Sequence, residues 1–240
     1  KGNFSKLWGL EPSTVFLNHG SFGAAPIAVL EEQTRIRNEM EEDPVYFVEK
    51  KMNDLWQKSI LELSKFLNAD PEGMVFVTNA TMGVNTILRS LKLSPGDEII
   101  VPDHAYQACR NAIDFVTERS GARTVIVPVP FRVDDESEII DPILSAVSDR
   151  TVLAMIDTVS SPTGIRMPFE ILVLELQNKG VDVLVDAAHG PGIVPLDIRK
   201  LNPAYITGNC HKWLCTPKGS AFLHIREDKR EEVNPLNIGH

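Results

Sequence analysis

Several features that define other protein classes are scarce or missing in this sequence. Its three cysteines, Cys109, Cys210 and Cys215, are too few for a disulfide framework and are typical of a reducing compartment. No apolar run approaches the roughly 18 residues that a membrane helix needs. The opening segment KGNFSKLWGL lacks the apolar stretch of a signal peptide. We therefore expect a cytoplasmic protein with no membrane partner.

Basic charge is also scarce, since 24 Lys and Arg residues stand against 33 Asp and Glu residues, giving a net charge of -9. Nucleic-acid-binding proteins usually present a basic face, so we expect no nucleic-acid partner. An anionic cofactor is still compatible with this charge, because backbone N–H groups at a helix start can bind phosphate. No GxGxxG motif follows any strand-like segment, which argues against a nicotinamide-binding Rossmann enzyme.

What the sequence does contain, from residue 74 onward, is a regular alternation of apolar strand-like and helix-like segments. This order predicts an α/β fold with a mostly parallel seven-stranded sheet and helices on both faces. The predicted strands cover residues 74–78, 98–102, 124–129, 151–159, 181–188, 204–210 and 220–226. The predicted helices between them cover residues 80–92, 104–121, 141–149 and 169–180. The predicted strands are apolar throughout rather than alternating, as buried parallel strands should be.

The part before the sheet has a different pattern. Residues 26–67 are predicted to form one or two amphipathic helices, interrupted at Asp43-Pro44, after a loop-like opening segment. We therefore divide the chain into residues 1–70, an N-terminal segment with helices, and residues 71–240, a large α/β domain.

Ligands of parallel sheets bind beyond the carboxyl ends of the strands, so the residues that follow each strand are the candidate site residues. Ala80 and Thr81 open a helix whose free N–H groups suit a phosphate, although they also suit a simple helix cap. His104 follows the next strand and is either a cap or surface residue or a side chain that stacks on a flat ring. Ser161 lies in a polar turn at the same edge.

Two charged residues at this edge carry the strongest signal. Asp186 ends a buried strand, where a carboxylate is costly unless it is paired with a protonated nitrogen, a basic side chain or a metal. Lys212 lies between a strand and Trp213, where burial would lower its pKa and make its amine a nucleophile. Together they match what a pyridoxal cofactor requires, namely an acid at the ring nitrogen and an amine at the aldehyde.

With these residues in place, the chain resembles the class V aminotransferase family of fold-type I pyridoxal-phosphate enzymes, and within it the isopenicillin N epimerase-like branch. Seven segments in order carry the resemblance: LNHGSFGAAP (17–26), EEDPVYF (41–47), TNATMGVN (78–85), DHAYQACRN (103–111), DTVSSPTG (157–164), VDAAHGPG (185–192) and TGNCHKWLCTPKGSAFL (207–223).

The resemblance implies a role for each matching residue. Lys212 would carry pyridoxal 5'-phosphate as a Schiff base and move the proton at the substrate α-carbon, while Asp186 would keep the ring nitrogen protonated. His104 would stack on the ring, His189 would lie near its phenolic oxygen, and Ser161 would lie beside it. The residues implied at the phosphate are Ala80, Thr81, Asn209 and His211, and those implied near the substrate are Asn18 and His19.

The family resemblance also implies a reaction class and a larger protein. We expect an enzyme that acts at the α-carbon of an amino acid through an external aldimine, as an epimerase or a C–S lyase, and that forms a homodimer. A cysteine desulfurase or desulfhydrase-type lyase and a non-catalytic protein that binds pyridoxal phosphate remain alternatives. Family members continue into a small C-terminal domain that supplies a carboxylate-binding Arg, so we expect this chain to be truncated before that domain. No metal is expected.

Overall fold

The apolar segments that follow residue 73 pair into a single seven-stranded sheet in a computed structural model, which describes residues 3–238. Residues 1, 2, 239 and 240, which begin and end the two predicted domains, lie outside the described residues. The strands are β1 (Met74–Val77), β2 (Glu98–Pro102), β3 (Arg123–Val127), β4 (Thr151–Asp157), β5 (Asp182–Asp186), β6 (Tyr205–Asn209) and β7 (Ala221–Ile225).

The order of the strands across the sheet is β1-β7-β6-β5-β4-β2-β3. Strand β7 runs antiparallel to both of its neighbours, and the other neighbouring pairs are parallel. The prediction of a mostly parallel seven-stranded sheet is therefore confirmed. The edge strand β3 departs from the expected burial, because Arg123 and Ile126 are exposed where no further strand covers them.

Helices cover both faces of this sheet, as predicted. They are α1 (Ile27–Glu42), α2 (Pro44–Tyr46), which continues through a π-helical turn (Phe47–Lys51) into α3 (Met52–Phe66), then α4 (Ala80–Ser90), α5 (Gln107–Ser120), α6 (Ser137–Ser145), α7 (Phe169–Asn178) and α8 (Ile198–Leu201). Between residues 3 and 238 there is no helix with the length and apolar character needed to cross a membrane.

The starts of two helices differ from the prediction. Helix α6 begins at Ser137 rather than at Asp141, with Pro142 inside it, because Ile139 and Ile143 are both buried one turn apart on its inner face. Helix α5 begins at Gln107, three residues after the predicted start. It ends as predicted at Gly121, whose φ of 75° is the left-handed conformation that glycine adopts without a steric cost.

Each face of the sheet has its own apolar core. One core joins α6 and α7 to the sheet through residues such as Ile143, Phe169 and Leu172. The other joins α4 and α5 to the opposite face through residues such as Ile87 and Ile113. Because both faces are buried, the charged side chains of the central strands lie at the strand ends. Any functional site on the sheet must therefore lie at an edge formed by those ends.

Glu98, at the start of β2, illustrates how such a buried charge is held at the edge remote from the candidate site. Its carboxylate is 2% exposed and accepts hydrogen bonds from Arg123 Nε at 3.0 Å, Ser148 Oγ at 2.7 Å and Thr151 Oγ1 at 3.2 Å. The Arg123 guanidinium and then the Ser148 hydroxyl hold the pKa of Glu98 below its usual range. The ionised carboxylate therefore stabilises the fold.

We expect Glu98→Gln to lower the free energy of unfolding by about 2 kcal/mol at pH 7, because charge-assisted hydrogen bonds are lost. A lowered pKa in the folded state means that this stabilisation is present above the unfolded pKa and disappears as the pH falls through the folded value. Urea unfolding at pH 7 and at successively lower pH measures the difference, which should shrink below about pH 4.5. Glu49→Gln, at an exposed helical position, is the control, and an equal loss in both variants would contradict the prediction.

Candidate active site

The carboxyl ends of the three central strands meet at one edge of the sheet. Asp157 at the end of β4 pairs in register with Asp186 at the end of β5, and Asp186 pairs with Thr207 of β6. A cavity of about 500 Å³ opens at this edge. It is lined by Ser21, Phe22, Thr78, Asn79, Ala80, Thr81, Tyr106, Asp157, Ser161, Asp186, Ala188, His189, Asn209, His211, Lys212 and Gly219. Eight of the eleven predicted site residues are in this set.

Asp186 is the buried acid of the cavity. Its side chain is 2% exposed, its Oδ1 accepts the N–H of Ala188 at 2.9 Å, and its Oδ2 accepts the thiol of Cys109 at 3.3 Å. Burial raises the pKa of this carboxyl, while the Ala188 N–H, the Cys109 thiol and the charge of Lys212 lower it. Two alternatives raised by the sequence find no support within residues 3–238. No Lys or Arg forms a salt bridge with Asp186, and no cluster of His, Cys, Asp or Glu suits a metal.

Lys212 lies in the loop that follows β6 and reaches into the same cavity. Its partly buried ammonium loses hydration, which lowers the pKa of Lys212, and the nearby charge of Asp186 opposes this shift. The Nζ atom lies 3.2 Å from Nε2 of His189. The cavity thus contains an amine with an increased neutral fraction, and such an amine can attack a carbonyl carbon.

His189 connects Lys212 to an aromatic side chain. The indole N–H of Trp213 donates to Nδ1 of His189 at 3.3 Å. Burial lowers the pKa of His189 to about 4, and the neighbouring charge of Lys212 contributes to the shift. The imidazole is therefore neutral at physiological pH, with one nitrogen as a donor and the other as an acceptor.

The start of α4 forms the end of the cavity suited to an anion. Asn79 caps the helix by accepting the Met82 N–H at 2.8 Å, and the Ala80 N–H is taken by Oδ1 of Asn209 at 2.9 Å. Among the hydrogen bonds of residues 3–238, none outside the regular helix ladder is donated by the N–H of Thr81, so this amide can bind a ligand. His211 lies nearby, with Nδ1 2.9 Å from the carbonyl oxygen of Ser220. Ala80 and Asn209 thus shape the helix start through their mutual hydrogen bond.

Gly83 sets the distance between this helix start and the sheet. A Cβ at this position would lie 2.2 Å from Oγ1 of Thr207 and 2.7 Å from its Cβ, so α4 packs on β6 more closely than any larger residue allows. We expect Gly83→Ala to push α4 away and to lower the free energy of unfolding by about 1–3 kcal/mol, as overpacking does in other cores. Urea unfolding measures this. Gly9→Ala is the control, because the atom nearest to a Cβ at this position lies 4.0 Å away. An equal loss of stability in Gly9→Ala would contradict the prediction.

Three predicted residues do not line the cavity. His104 is absent from the lining residues and its Nδ1 lies 3.4 Å from Oγ1 of Thr163, whereas Tyr106 lines the cavity. Asn18 holds a turn by donating to Ser21 Oγ at 2.8 Å and accepting the Ser21 N–H at 3.0 Å. His19 packs edge-on against Phe16, with a centroid distance of 4.9 Å, and 6.1 Å from the Trp213 ring.

The segment that contains these last two residues nevertheless closes over the lysine loop. Gly23, with a φ of 71°, lies so close to this loop that a Cβ would stand 1.8 Å from the His211 carbonyl oxygen. A Cβ on Gly20 would lie 3.1 Å from Trp213 and 3.3 Å from His189. Ser21 and Phe22, between these glycines, line the cavity, whereas Asn18 and His19, which were predicted to lie near the substrate, do not.

Two residues next to Asp186 were missed by the sequence-based prediction. Asp157 is 3% exposed and lines the cavity, where burial and then the charge of Asp186 raise its pKa well above the usual value. A signal for it existed, because Asp157 ends an apolar strand in the same way as Asp186. Cys109, whose thiol contacts Asp186, is one of several small residues on a buried helix face, and nothing in its sequence context distinguishes it.

The chain matches a known protein family and is similar in sequence to several known proteins. The family model of aminotransferase class-V matches residues 27–240. An isopenicillin N epimerase of Streptomyces clavuligerus is 31% identical over 229 residues, which cover 95% of this chain and 58% of that protein. A probable chloroplastic L-cysteine desulfhydrase of Arabidopsis thaliana is 31% identical over 244 residues, covering 95% of this chain and 51% of that protein.

A solved structure shares the fold. A mutant of C-DES with glycine covalently linked to the PLP cofactor superimposes with a TM-score of 0.85 at 23% identity, over 100% of this chain and 63% of that chain. The predicted fold-type I architecture is thereby confirmed. The chain spans between half and three fifths of the length of these two curated relatives.

Proposed function

Because this chain belongs to the aminotransferase class-V family, we propose that it is the cofactor-binding part of a pyridoxal-phosphate enzyme that acts at the α-carbon of an amino acid. One observation carries the proposal: Asp186 and Lys212 line the same cavity, and within residues 3–238 the buried carboxyl of Asp186 has no basic side chain in a salt bridge with it. A cofactor with a protonated ring nitrogen and an aldehyde fits both groups.

The residues of the cavity divide the work of holding the cofactor. Bound pyridoxal phosphate supplies a ring that withdraws electrons from the α-carbon of an attached amino acid. Asp186 would hold a proton at the ring nitrogen, and Lys212 would hold the aldehyde carbon. The Thr81 N–H, at the start of an 11-residue helix, would bind the phosphate with His211. His189 and Ser161 would orient the ring from its edge, and Ala80 and Asn209 would keep the helix start in place.

Lys212 would have a second role whenever its amine is not attached to the cofactor. Its Nζ would then be a free amine inside the cavity, and its lowered pKa suits a group that takes and returns a proton near neutral pH. If the proton returns to the other face of the α-carbon, the substrate is epimerised. If a sulfur group leaves from the β-carbon, the reaction is a C–S lysis. His104 at the ring face and Asn18 and His19 near the substrate remain part of this proposal.

The isopenicillin N epimerase relative favours the first outcome and the L-cysteine desulfhydrase relative favours the second. We propose the epimerase or C–S lyase class together and treat the desulfurase or desulfhydrase type, or a non-catalytic binding protein, as the alternatives. Incubation with L-cysteine in D₂O separates them. Deuterium at the α-carbon of D-cysteine without sulfide indicates an epimerase, release of sulfide, ammonia and pyruvate indicates a C–S lyase of the desulfhydrase type, and formation of alanine indicates a desulfurase. A loaded protein that exchanges no α-proton with L-cysteine or with any other amino acid is a binding protein.

The cofactor itself is tested first. The purified chain, loaded with pyridoxal phosphate, should show visible absorbance, and borohydride reduction should fix a pyridoxyl group on the peptide that contains Lys212. Mass spectrometry of the digested protein locates the modified residue. A chain that stays colourless and unmodified at saturating cofactor would overturn the proposal.

We further propose that the protein is a homodimer and that the N-terminal helices contribute to the dimer contact. Large apolar side chains of α1–α3 and the turn between them are exposed in the single chain, namely Leu30, Val45, Tyr46, Val48, Met52, Trp56 and Leu61. Light scattering of the protein as it elutes from a size-exclusion column measures the oligomeric state.

We also propose a reducing, cytoplasmic location, which the three free cysteine thiols support.

A further inference from the structure

Trp213, which directly follows Lys212, takes part in a chain of two hydrogen bonds that the proposed cofactor chemistry does not explain. Its indole N–H is aimed at Nδ1 of His189 at 3.3 Å, and Nε2 of the same ring lies 3.2 Å from Nζ of Lys212. An indole nitrogen can only donate, so Nδ1 of His189 must be the acceptor. In a neutral imidazole the proton then resides on Nε2.

The second hydrogen bond follows from the first. If Nε2 carries the proton, it faces Lys212 as a donor, and only a neutral amine can accept from it. If Lys212 were an ammonium ion, Nε2 would have to accept and the proton would move to Nδ1. Two N–H groups would then face each other across 3.3 Å between Trp213 and His189, and a partly buried donor without an acceptor is destabilising.

Two glycines pack against His189 and Trp213. His189 and Trp213 are both covered by residue 20, where a Cβ would lie 3.3 Å and 3.1 Å from them. On its other side Trp213 lies against Gly192, where a Cβ would stand 2.8 Å from the Trp213 carbonyl oxygen. The close approach of both glycines therefore holds His189 and Trp213 next to each other.

We infer that Trp213 is a positioning residue whose indole N–H keeps the proton of His189 on Nε2 and thereby keeps the amine of Lys212 neutral. The titratable groups that face Lys212 are Asp186, Cys109 and His189. Asp186 favours the ammonium form, so the hydrogen bonds from Trp213 through His189 oppose it. The tautomer of His189 depends only on the chain's own residues, and the consequence for cofactor capture by Lys212 rests on the proposed function.

The direct test is a ¹⁵N–¹H spectrum of the histidine side chains in the cofactor-free chain, with His189 assigned from its missing signal in His189→Gln. We expect the Nε2–H tautomer in the wild type and a substantial Nδ1–H population in Trp213→Phe, which removes the N–H but keeps an aromatic ring. Trp56→Phe, on an exposed helical position, is the matched control and should leave the tautomer unchanged. An unchanged tautomer in Trp213→Phe would overturn the inference.

A second measurement determines how the pKa of the Lys212 amine depends on Trp213. The pKa of Lys212, taken from the pH dependence of the rate of pyridoxal-phosphate capture, should rise by about one pH unit in Trp213→Phe, and capture near neutral pH should slow about tenfold. If Trp213→Phe does not fold, β-(3-benzothienyl)alanine at position 213 replaces only the N–H by sulfur. A wild-type chain that captures no cofactor at any pH contradicts the proposed function, while the tautomer measurement still decides this inference.

Discussion

Lys212→Ala is expected to abolish the retention of pyridoxal phosphate through borohydride reduction and to lower the rate of substrate turnover by about 10³-fold or more. The variant would lose both roles proposed for Lys212, namely holding the aldehyde carbon and moving the proton at the α-carbon. Proton transfer by a positioned side chain alone contributes about 10²–10⁴ in rate. Single-turnover kinetics and mass spectrometry of the reduced protein measure both effects.

Lys218→Ala provides the matched control, because Lys218 lies in the same loop but its side chain is exposed and outside the cavity. It should retain the label and the wild-type rate. Lys212→Arg separates charge from nucleophilicity, since a guanidinium stays protonated and forms no stable bond with an aldehyde. If Lys212→Ala kept a borohydride-stable label, another amine would carry the cofactor and the assignment of Lys212 would be wrong.

Asp186→Asn is expected to move activity and stability in opposite directions. An amide cannot hold a proton at the ring nitrogen as a carboxylate does, so turnover should fall by about 10²–10⁴-fold, the range in which positioned acid–base groups act. The cofactor-free chain should gain stability at neutral pH, because burial raises the pKa of Asp186 and ionising it in the folded state is costly.

The sign of the pH effect follows from the raised pKa. The folded chain binds its proton more tightly than the unfolded chain, so the wild-type free energy of unfolding falls as the pH rises from about 3.8 through the folded pKa. In Asp186→Asn this fall should be weaker. Urea unfolding from pH 4 to pH 8 measures it, and Asp141→Asn, at an exposed position, is the control. A variant that loses stability at pH 7 would show that the carboxylate is structurally paired.

Much of the sheet was predictable because its signals are local. The central strands are continuous apolar runs bounded by turn residues, and Gly121 ends α5 where its left-handed φ requires glycine. The start of α6 was not predictable from local rules. Pro142 favours a helix that begins beside it, and only the burial of Ile139 against the sheet extends the helix backwards. The division of the chain at residue 70 stays a prediction.

The candidate site was predictable to the extent that it depends on strand ends. Parallel strands bring their carboxyl ends to one edge, so the sequence alone predicts that Asp186 and Lys212 lie close together. Residues whose orientation depends on loop packing were harder to predict. Nδ1 of His104 lies near Oγ1 of Thr163. The hydrogen bond from Trp213 to His189 joins residues 24 positions apart in the sequence, a separation that no helix or strand periodicity predicts.

The crossing of the N-terminal segment over the lysine loop has a consequence for how the protein folds. His19 and Cys215, on the two sides of this crossing, are 196 positions apart, so their contact closes one of the longest loops in the chain. Long-range contacts form slowly because their loop entropy is lost before the contacts compensate for it. During synthesis the first of these segments leaves the ribosome long before the second exists. We therefore expect the wall formed by Ser21 and Phe22 to be the last part of the cavity to assemble. The proposed cofactor should then be bound tightly only after the chain has finished folding.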